Sequence, residues 1–258
     1  MPPAEPSAES AAAPADHGSV ERSGTKRSGS RADGSAGVED TLDLELTEEL
    51  LALIAEERSA GAAGARVAHE LLGDPGAWQP ATTAAGEFAL VPVRPERDLA
   101  VVSRWMNDPA VAAFWELAGP ESITADHLRT QLEGDGRSIP CLGVLDSTPM
   151  SYWEIYRADL DPLARHYPAR PHDTGVHLLI GGVNNRGRGV GTALIRAVAD
   201  LVLDNLPRCG RVVAEPDLRN TPSVSAFLSA GFRFSAEVDL PDKRAALMIR
   251  DRTHRAQL

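Results

Sequence analysis

Arg186-Gly187-Arg188-Gly189-Val190-Gly191-Thr192 is the stretch on which the reading of the chain turns. It joins an apolar, strand-like run (Gly175–Gly181) to a long amphipathic segment carrying Leu194, Val198, Leu201 and Val202. A glycine turn that opens a helix leaves the first helical N–H groups without partners. Those donors and the helix dipole together make an anion site suited to a pyrophosphate. Gly187, Gly189 and Gly191 allow close backbone approach and positive φ, and Arg186 and Arg188 add charge-assisted donors. A P-loop would end in Gly-Lys-Ser/Thr, and no lysine stands here. A dinucleotide fingerprint would need G-x-G-x-x-G near the first strand. Here the third glycine comes one residue early and several strands precede the turn.

Outward from the turn, the pattern is mixed α/β. Phe88 to Val93 reads as a strand, and Glu96 to Asn107 has helical spacing with Leu99, Val102 and Met106 on one face. Asn107-Asp108-Pro109 ends that helix, because a residue before proline disfavours the helical region. Thr124 is the expected cap of a further helix through Leu132. Ile139–Leu145 and Met150–Tyr156 flank Asp146-Ser147-Thr148-Pro149, a hairpin signal. Arg211–Ala214 is a short strand, Pro222–Ala230 a helix ending at Gly231, and Phe232–Val238 and Arg244–Arg250 the last strands. Meandering strands thus come first and a strand–helix–strand unit later.

Charge is uneven along the 258 residues. Residues 1–80 hold 15 Asp/Glu and 6 Lys/Arg, a net of −9, whereas 81–258 hold 22 and 20, a net of −2. The total of −11 speaks against a nucleic-acid partner. Residues 1–40 are an acidic, low-complexity tail expected to stay disordered, because they carry too little apolar surface to offset ordering. Residues 41–80 are expected to form a helical arm and linker, starting at Thr47-Glu48-Glu49. The arm is a candidate contact for a second copy of the chain or for a pathway enzyme. Residues 81–258 form the expected catalytic domain. Two cysteines, Cys141 and Cys209, suit a reducing cytoplasm. No zinc-type Cys/His set, no membrane span and no secretory leader is read, so no metal and no membrane is expected.

Arg186-x-x-Gly189-x-Gly191 resembles the pyrophosphate loop of GNAT acyl-CoA N-acyltransferases. Asn220, followed by Phe227 and then Gly231-Phe232, resembles that family's N-x-x-A-x-x-x-Y-x-x-x-G-F segment in order and spacing. Further strings are similar to the siderophore-biosynthesis branch: Trp105-Met-Asn-Asp-Pro109, Ser151-Tyr-Trp-Glu-Ile-Tyr156, Pro171 to Gly181, Glu215-Pro-Asp217 and Asp239 to Met248. That branch makes the hydroxamates of aerobactin, mycobactin and desferrioxamine. The resemblance implies a mostly antiparallel sheet splayed at the cofactor site, flanked by helices and preceded by the N-terminal extension. It implies a cytoplasmic enzyme using acetyl-CoA or succinyl-CoA to acylate an N-hydroxylated diamine or amino acid, of N-hydroxycadaverine or hydroxylysine type.

The resemblance implies His177 and Asp217 as the catalytic pair. His can serve as acid and base near neutrality. The expected cofactor contacts are Leu179, Ile180, Gly181, Val190, Thr192, Asn220 and Phe227, together with Arg186, Gly187, Arg188, Gly189 and Gly191 of the turn. Phe227 stands where many members have Tyr, so this side chain has no proton for the departing thiolate. Trp115, Trp153 and Tyr156 are candidates to line an acceptor channel, Glu154 to hold a distal ammonium, and Lys243 to meet a carboxylate. His172 and Asp173 are further acceptor candidates beside the reactive strand. An alkyl ammonium has a pKa near 10.4, so freeing it at pH 7 costs about 4–5 kcal/mol. An N-alkylhydroxylamine is already neutral there and needs mainly orientation and one late proton removal. Two other readings stand beside this one: an aminoglycoside 6′-N-acetyltransferase-like enzyme, and a non-catalytic CoA-binding scaffold subunit.

Overall fold

A computed structural model describes residues 71–182 and 186–257 of the chain. The expected tail, residues 1–40, and residues 41–70 of the expected arm and linker lie outside the described residues. Eight strands form one sheet: β1 (Ala81–Thr83), β2 (Gly86–Pro92), β3 (Ser138–Leu145), β4 (Thr148–Arg157), β5 (Thr174–Ile180), β6 (Arg211–Ala214), β7 (Arg233–Asp239) and β8 (Arg244–Asp251). Their order is β1-β2-β3-β4-β5-β6-β8-β7, antiparallel except for the β5–β6 pair. Strand β1 pairs with β2 through Ala81–Thr83 and has no counterpart in the sequence reading. Its three residues are too few for alternation to show.

Among the described residues, three α-helices lie between β2 and β3: α1 (Pro95–Met106), α2 (Pro109–Trp115) and α3 (Glu121–Leu132). Pro95 opens α1 with Glu96 and Asp98 in the first turn, where acids favour the helix dipole. Asp108 caps α2 by accepting from the Ala110 N–H at 2.9 Å. Helix α3 starts at Glu121 after Pro120, so Thr124 lies buried inside it and is not its cap. Helix α4 (Val190–Asn205) is the crossover between β5 and β6, and α5 (Thr221–Ser229) lies between β6 and β7.

Strand parity sorts the residues of β4 and β5 onto two faces. Trp153, Ile155 and Val176 pack with Leu194 and Val198 of α4. Tyr152 and Leu179 pack instead with Val102, Trp105 and Met106 of α1 and Leu128 of α3. The register sets Glu154 opposite His177, Tyr152 opposite Leu179 and Tyr156 opposite Gly175. Leu72, upstream of residue 81, is fully buried in the α4-side core. Cys141 and Cys209 are buried and unpaired, and burial pushes both thiols up from their ordinary pKa. No helix among the described residues is long and apolar enough to cross a membrane.

Candidate active site

Strands β5 and β6 stay together for only two residue pairs, Thr174–Val212 and Gly175–Val213. Beyond them the chain after β6 follows β8. The Ala246 N–H donates to the Pro216 carbonyl at 2.9 Å, and the Leu218 N–H donates to the Arg244 carbonyl at 3.0 Å. Residues Val176–Ile180 therefore pair with β4 alone, and a cleft opens beside them.

One arm of the cleft is a groove of about 800 Å³ bordered by Leu178–Ile180, the glycine turn and α5. Gly187 and Gly189 have φ of +70° and +76°, while Gly191 does not need a positive φ. Among the described residues, no atom beyond the immediate chain neighbours lies within 4 Å of a Cβ added at Gly187 or Gly189. Gly189 is the N-cap of α4 and supplies no side-chain cap, so the first N–H groups of α4 face the turn unpartnered by a side chain. Arg186 lies beneath. Its Nε donates to the Ile180 carbonyl at 3.0 Å and its Nη1 to Asp108 at 3.1 Å. Its buried Nη2 has no partner among the described residues. An orphaned guanidinium donor beside free helix N–H groups fits a pyrophosphate. Thr192 lines the same groove, and Arg188 is exposed on the turn. Gly181 sits under Trp105, where a Cβ would meet the indole at 2.2 Å. Asn220 caps α5 by accepting from the Ser223 N–H at 3.2 Å.

The other arm is a pocket of about 350 Å³. It shares Phe114, Trp115, Leu178, Asn220 and Ser223 with the groove, so the two meet there. His177 stands in this pocket with its side chain 35% exposed. Its Nδ1 bonds Glu154 Oε2 at 2.9 Å, and its Nε2 makes a short bond to Glu215 Oε1. Trp115 meets the ring edge-on at 6.2 Å, and Tyr156 lies tilted over it at 4.6 Å. Tyr156 reaches that place because Gly175 opposite it has no side chain; a Cβ there would fall 2.0 Å from the phenol ring. Burial opposes the charge of His177, but the Glu215 charge and the bonds to both carboxylates outweigh it and push its pKa up to about 10. Burial likewise opposes ionisation of Glu154 and Glu215. Bonds from His127 and His177 hold Glu154 well below the usual carboxylate range, and the His177 charge does the same for Glu215. Both ring nitrogens thus face carboxylate oxygens, an arrangement that favours the imidazolium.

The expected site residues divide accordingly. His177, Asp217, Trp115, Glu154, Phe227 and Lys243 line the pocket. The pocket unites them, yet Asp217 does not touch His177. Both its oxygens are held by Arg219, at 2.6–3.0 Å. Glu154 is buried under His127, Gln131 and Tyr152 and points no free oxygen at a distal ammonium. Lys243 Nζ lies 3.7 Å from Glu215 Oε1. Phe227 is buried edge-on against Phe232.

Three acceptor candidates fall elsewhere. Trp153 is on the opposite face of β4, fully buried against Phe88 with its indole N–H on Ser151 Oγ at 2.8 Å. His172 is in a turn at φ +67°, and its N–H donates to Asp159. Asp173 is fully buried and pairs with Arg211 and Tyr167, tying the start of β5 to β6. His127 and Gln131 are absent from the sequence reading, and Glu215 stands in it only within the Glu215-Pro-Asp217 string, with no role of its own. The usable signal was a carboxylate inside an apolar strand, which must find donors when buried.

Residues 94–240 match the acetyltransferase (GNAT) domain family. Lysine N-acyltransferase MbtK of Mycobacterium sp. (strain MCS) is 36% identical over 174 residues, which cover 67% of this chain and 71% of that protein. The N(6)-hydroxylysine O-acetyltransferase of Escherichia coli is 38% identical over 160 residues, covering 62% of this chain and 50% of that protein. The crystal structure of an uncharacterised protein from Bacillus halodurans superposes with a TM-score of 0.65 at 32% identity, covering 70% of this chain and 93% of that one. The family match spans more than half of the chain, which therefore belongs to the GNAT acetyltransferases as an N-acyltransferase.

Proposed function

We propose that the chain transfers an acyl group from acyl-CoA to the nitrogen of an N-hydroxylated amino acid or diamine, of hydroxylysine or N-hydroxycadaverine type, giving a hydroxamate for siderophore assembly in the cytoplasm. The observation that carries this reading is the junction of the two cavities at Trp115, Leu178 and Asn220. It sets a groove bordered by the glycine turn end to end with a pocket centred on a histidine whose two ring nitrogens both meet carboxylates. The turn and Arg186 would hold the pyrophosphate, the unpaired edge of β5 the pantetheine, and the junction the thioester.

His177 and Asp217 are carried as the groups that serve the reaction, in different ways. As the nitrogen attacks the thioester carbon, a C–N bond forms and the C–S bond breaks. His177 enters protonated and suits protonation of the departing sulfur, the role that Phe227 cannot fill. Asp217 sits on the pocket wall, where it meets the acceptor and not the imidazole. A hydroxylamine suits this arrangement because its nitrogen arrives neutral and no strong base is free in the pocket.

The test is mass spectrometry of the purified full chain with acetyl-CoA and succinyl-CoA against N-hydroxylysine, N-hydroxycadaverine and the non-hydroxylated amines. Hydroxamate should form and the plain amines should lag. Acylation of aminoglycosides with none of hydroxylamines would reverse the assignment.

A further inference from the structure

We infer that Glu154 and Glu215, and not Asp217, are the carboxylates that act on His177 during transfer. Glu154 is the fixed positioning partner of Nδ1, and Glu215 is the exchangeable partner of Nε2 that the acceptor displaces. The inference rests on the acyl-transfer reading of the site given above.

The two carboxylates are held in unlike ways. Glu154 lies in the middle of β4, paired on both sides by β3 and β5. Its Oε1 accepts from His127 Nε2 at 2.6 Å, Gln131 Nε2 at 2.7 Å and Tyr152 OH at 3.0 Å. Gln131 is itself fixed, since Ser138 Oγ donates to its Oε1 at 2.6 Å. Only Oε2 remains, and it holds His177 Nδ1. A carboxylate so anchored orients the ring and leaves the other nitrogen for chemistry.

Glu215 is tethered more loosely. It follows the end of β6, with one bond from Tyr156 OH at 2.8 Å besides the His177 bond. Lys243 Nζ waits at 3.7 Å, beyond hydrogen-bond length. When the hydroxyl oxygen of an acceptor replaces Glu215 in accepting from the Nε2–H, Glu215 keeps Tyr156 and can close on Lys243. Its charge therefore stays compensated. His177 then faces one carboxylate in place of two and gives up its proton more readily. The Nε2 proton goes to sulfur as the C–S bond breaks. The emptied Nε2 takes the proton lost by the acylated nitrogen, so the ring begins and ends as imidazolium.

The other charged or titratable groups facing this array are Tyr156 on β4, Asp161 in the turn after β4, Lys243 before β8 and, through Glu154, His127 on α3; Asp217 and Asp242 stand on the pocket wall.

Two measurements on the full chain test the inference. In the first, NMR of the wild-type imidazoles should show the His177 ring protonated at both nitrogens at pH 8, losing a proton only near 10. A ring that deprotonates near the ordinary 6.5 overturns the inference without any variant. The second compares pH–rate profiles with acetyl-CoA and N-hydroxylysine. Glu154→Gln should lower kcat by about 100-fold, within the usual worth of a positioned proton-transfer group. It should leave the acceptor KM nearly unchanged and draw the alkaline limb down, with partial rescue in Glu154→Asp. Asp217→Asn should leave that limb in place. The reverse pattern overturns the assignment. If no hydroxylamine is turned over while His177 stays doubly protonated at pH 8, the substrate reading falls alone. If hydroxylamines turn over while the ring titrates near 6.5, the clamp falls alone.

Discussion

The groove and the pocket share a wall but recognise by different means. Apart from the Arg186 guanidinium, the groove offers backbone: uncapped N–H groups of α4, the edge of β5, and glycines at positive φ. The pocket offers side-chain charge from four separate segments, β4, β5, the chain after β6 and the turn before β8. Backbone recognition needs only that side chains stay out of the way. Charge recognition needs every partner present, because a buried ion left alone is costly. Substitutions in the two arms should therefore fail in separable ways.

The largest effect is expected at the centre of the pocket. His177→Ala should lower kcat by about 10²–10⁴-fold. Isothermal titration should still show acyl-CoA binding as in the wild type. Loss of both together would erase the distinction between the arms.

Gly189→Val attacks the groove. Its φ of +76° is strained for a β-branched residue by about 1–2 kcal/mol, which is about tenfold in equilibrium terms. The KM for acyl-CoA should rise by that order, with the acceptor KM unmoved.

Gly175→Ala tests the point where β5 and β6 part. Its new Cβ would crowd the Tyr156 ring, and overpacking of this kind costs about 1–3 kcal/mol. Thermal unfolding should fall by several degrees, and kcat should fall because Tyr156 no longer supports Glu215.

The smallest expected change is with pH. The folded protein raises the His177 pKa to about 10, so the imidazolium dominates below that value and is lost as pH rises through it. The profile of kcat/KM should be level across neutrality, with no inflection near 6.5. An inflection there would show that the carboxylates do not govern the ring.

The groove was the more legible arm because it is local. Seven consecutive residues carry its turn, and α4 follows them directly. The pocket was read by its members but not by its connections. His177 and Glu154 meet through the β4–β5 register, which is set across an irregular connection of sixteen residues, 158–173, that alternation cannot span. Parity also explains the misplacement of Trp153. It is grouped with Tyr156 as an aromatic of the same strand, but residues an odd number apart in a strand lie on opposite faces. In Glu215-Pro216-Asp217 the acid two residues upstream makes the contact with His177, a choice fixed by how the chain leaves β6.

The two thiols carry a practical consequence. Cys141 and Cys209 are sealed in the interior and resist ionisation, so neither offers a thiolate to a solvent-borne electrophile. In the native protein a thiol-reactive dye would find only the sulfur released from the spent donor. Turnover can then be counted one thiol at a time, with folded enzyme contributing a blank background and a sudden rise in reactive sulfur reporting that the fold has opened.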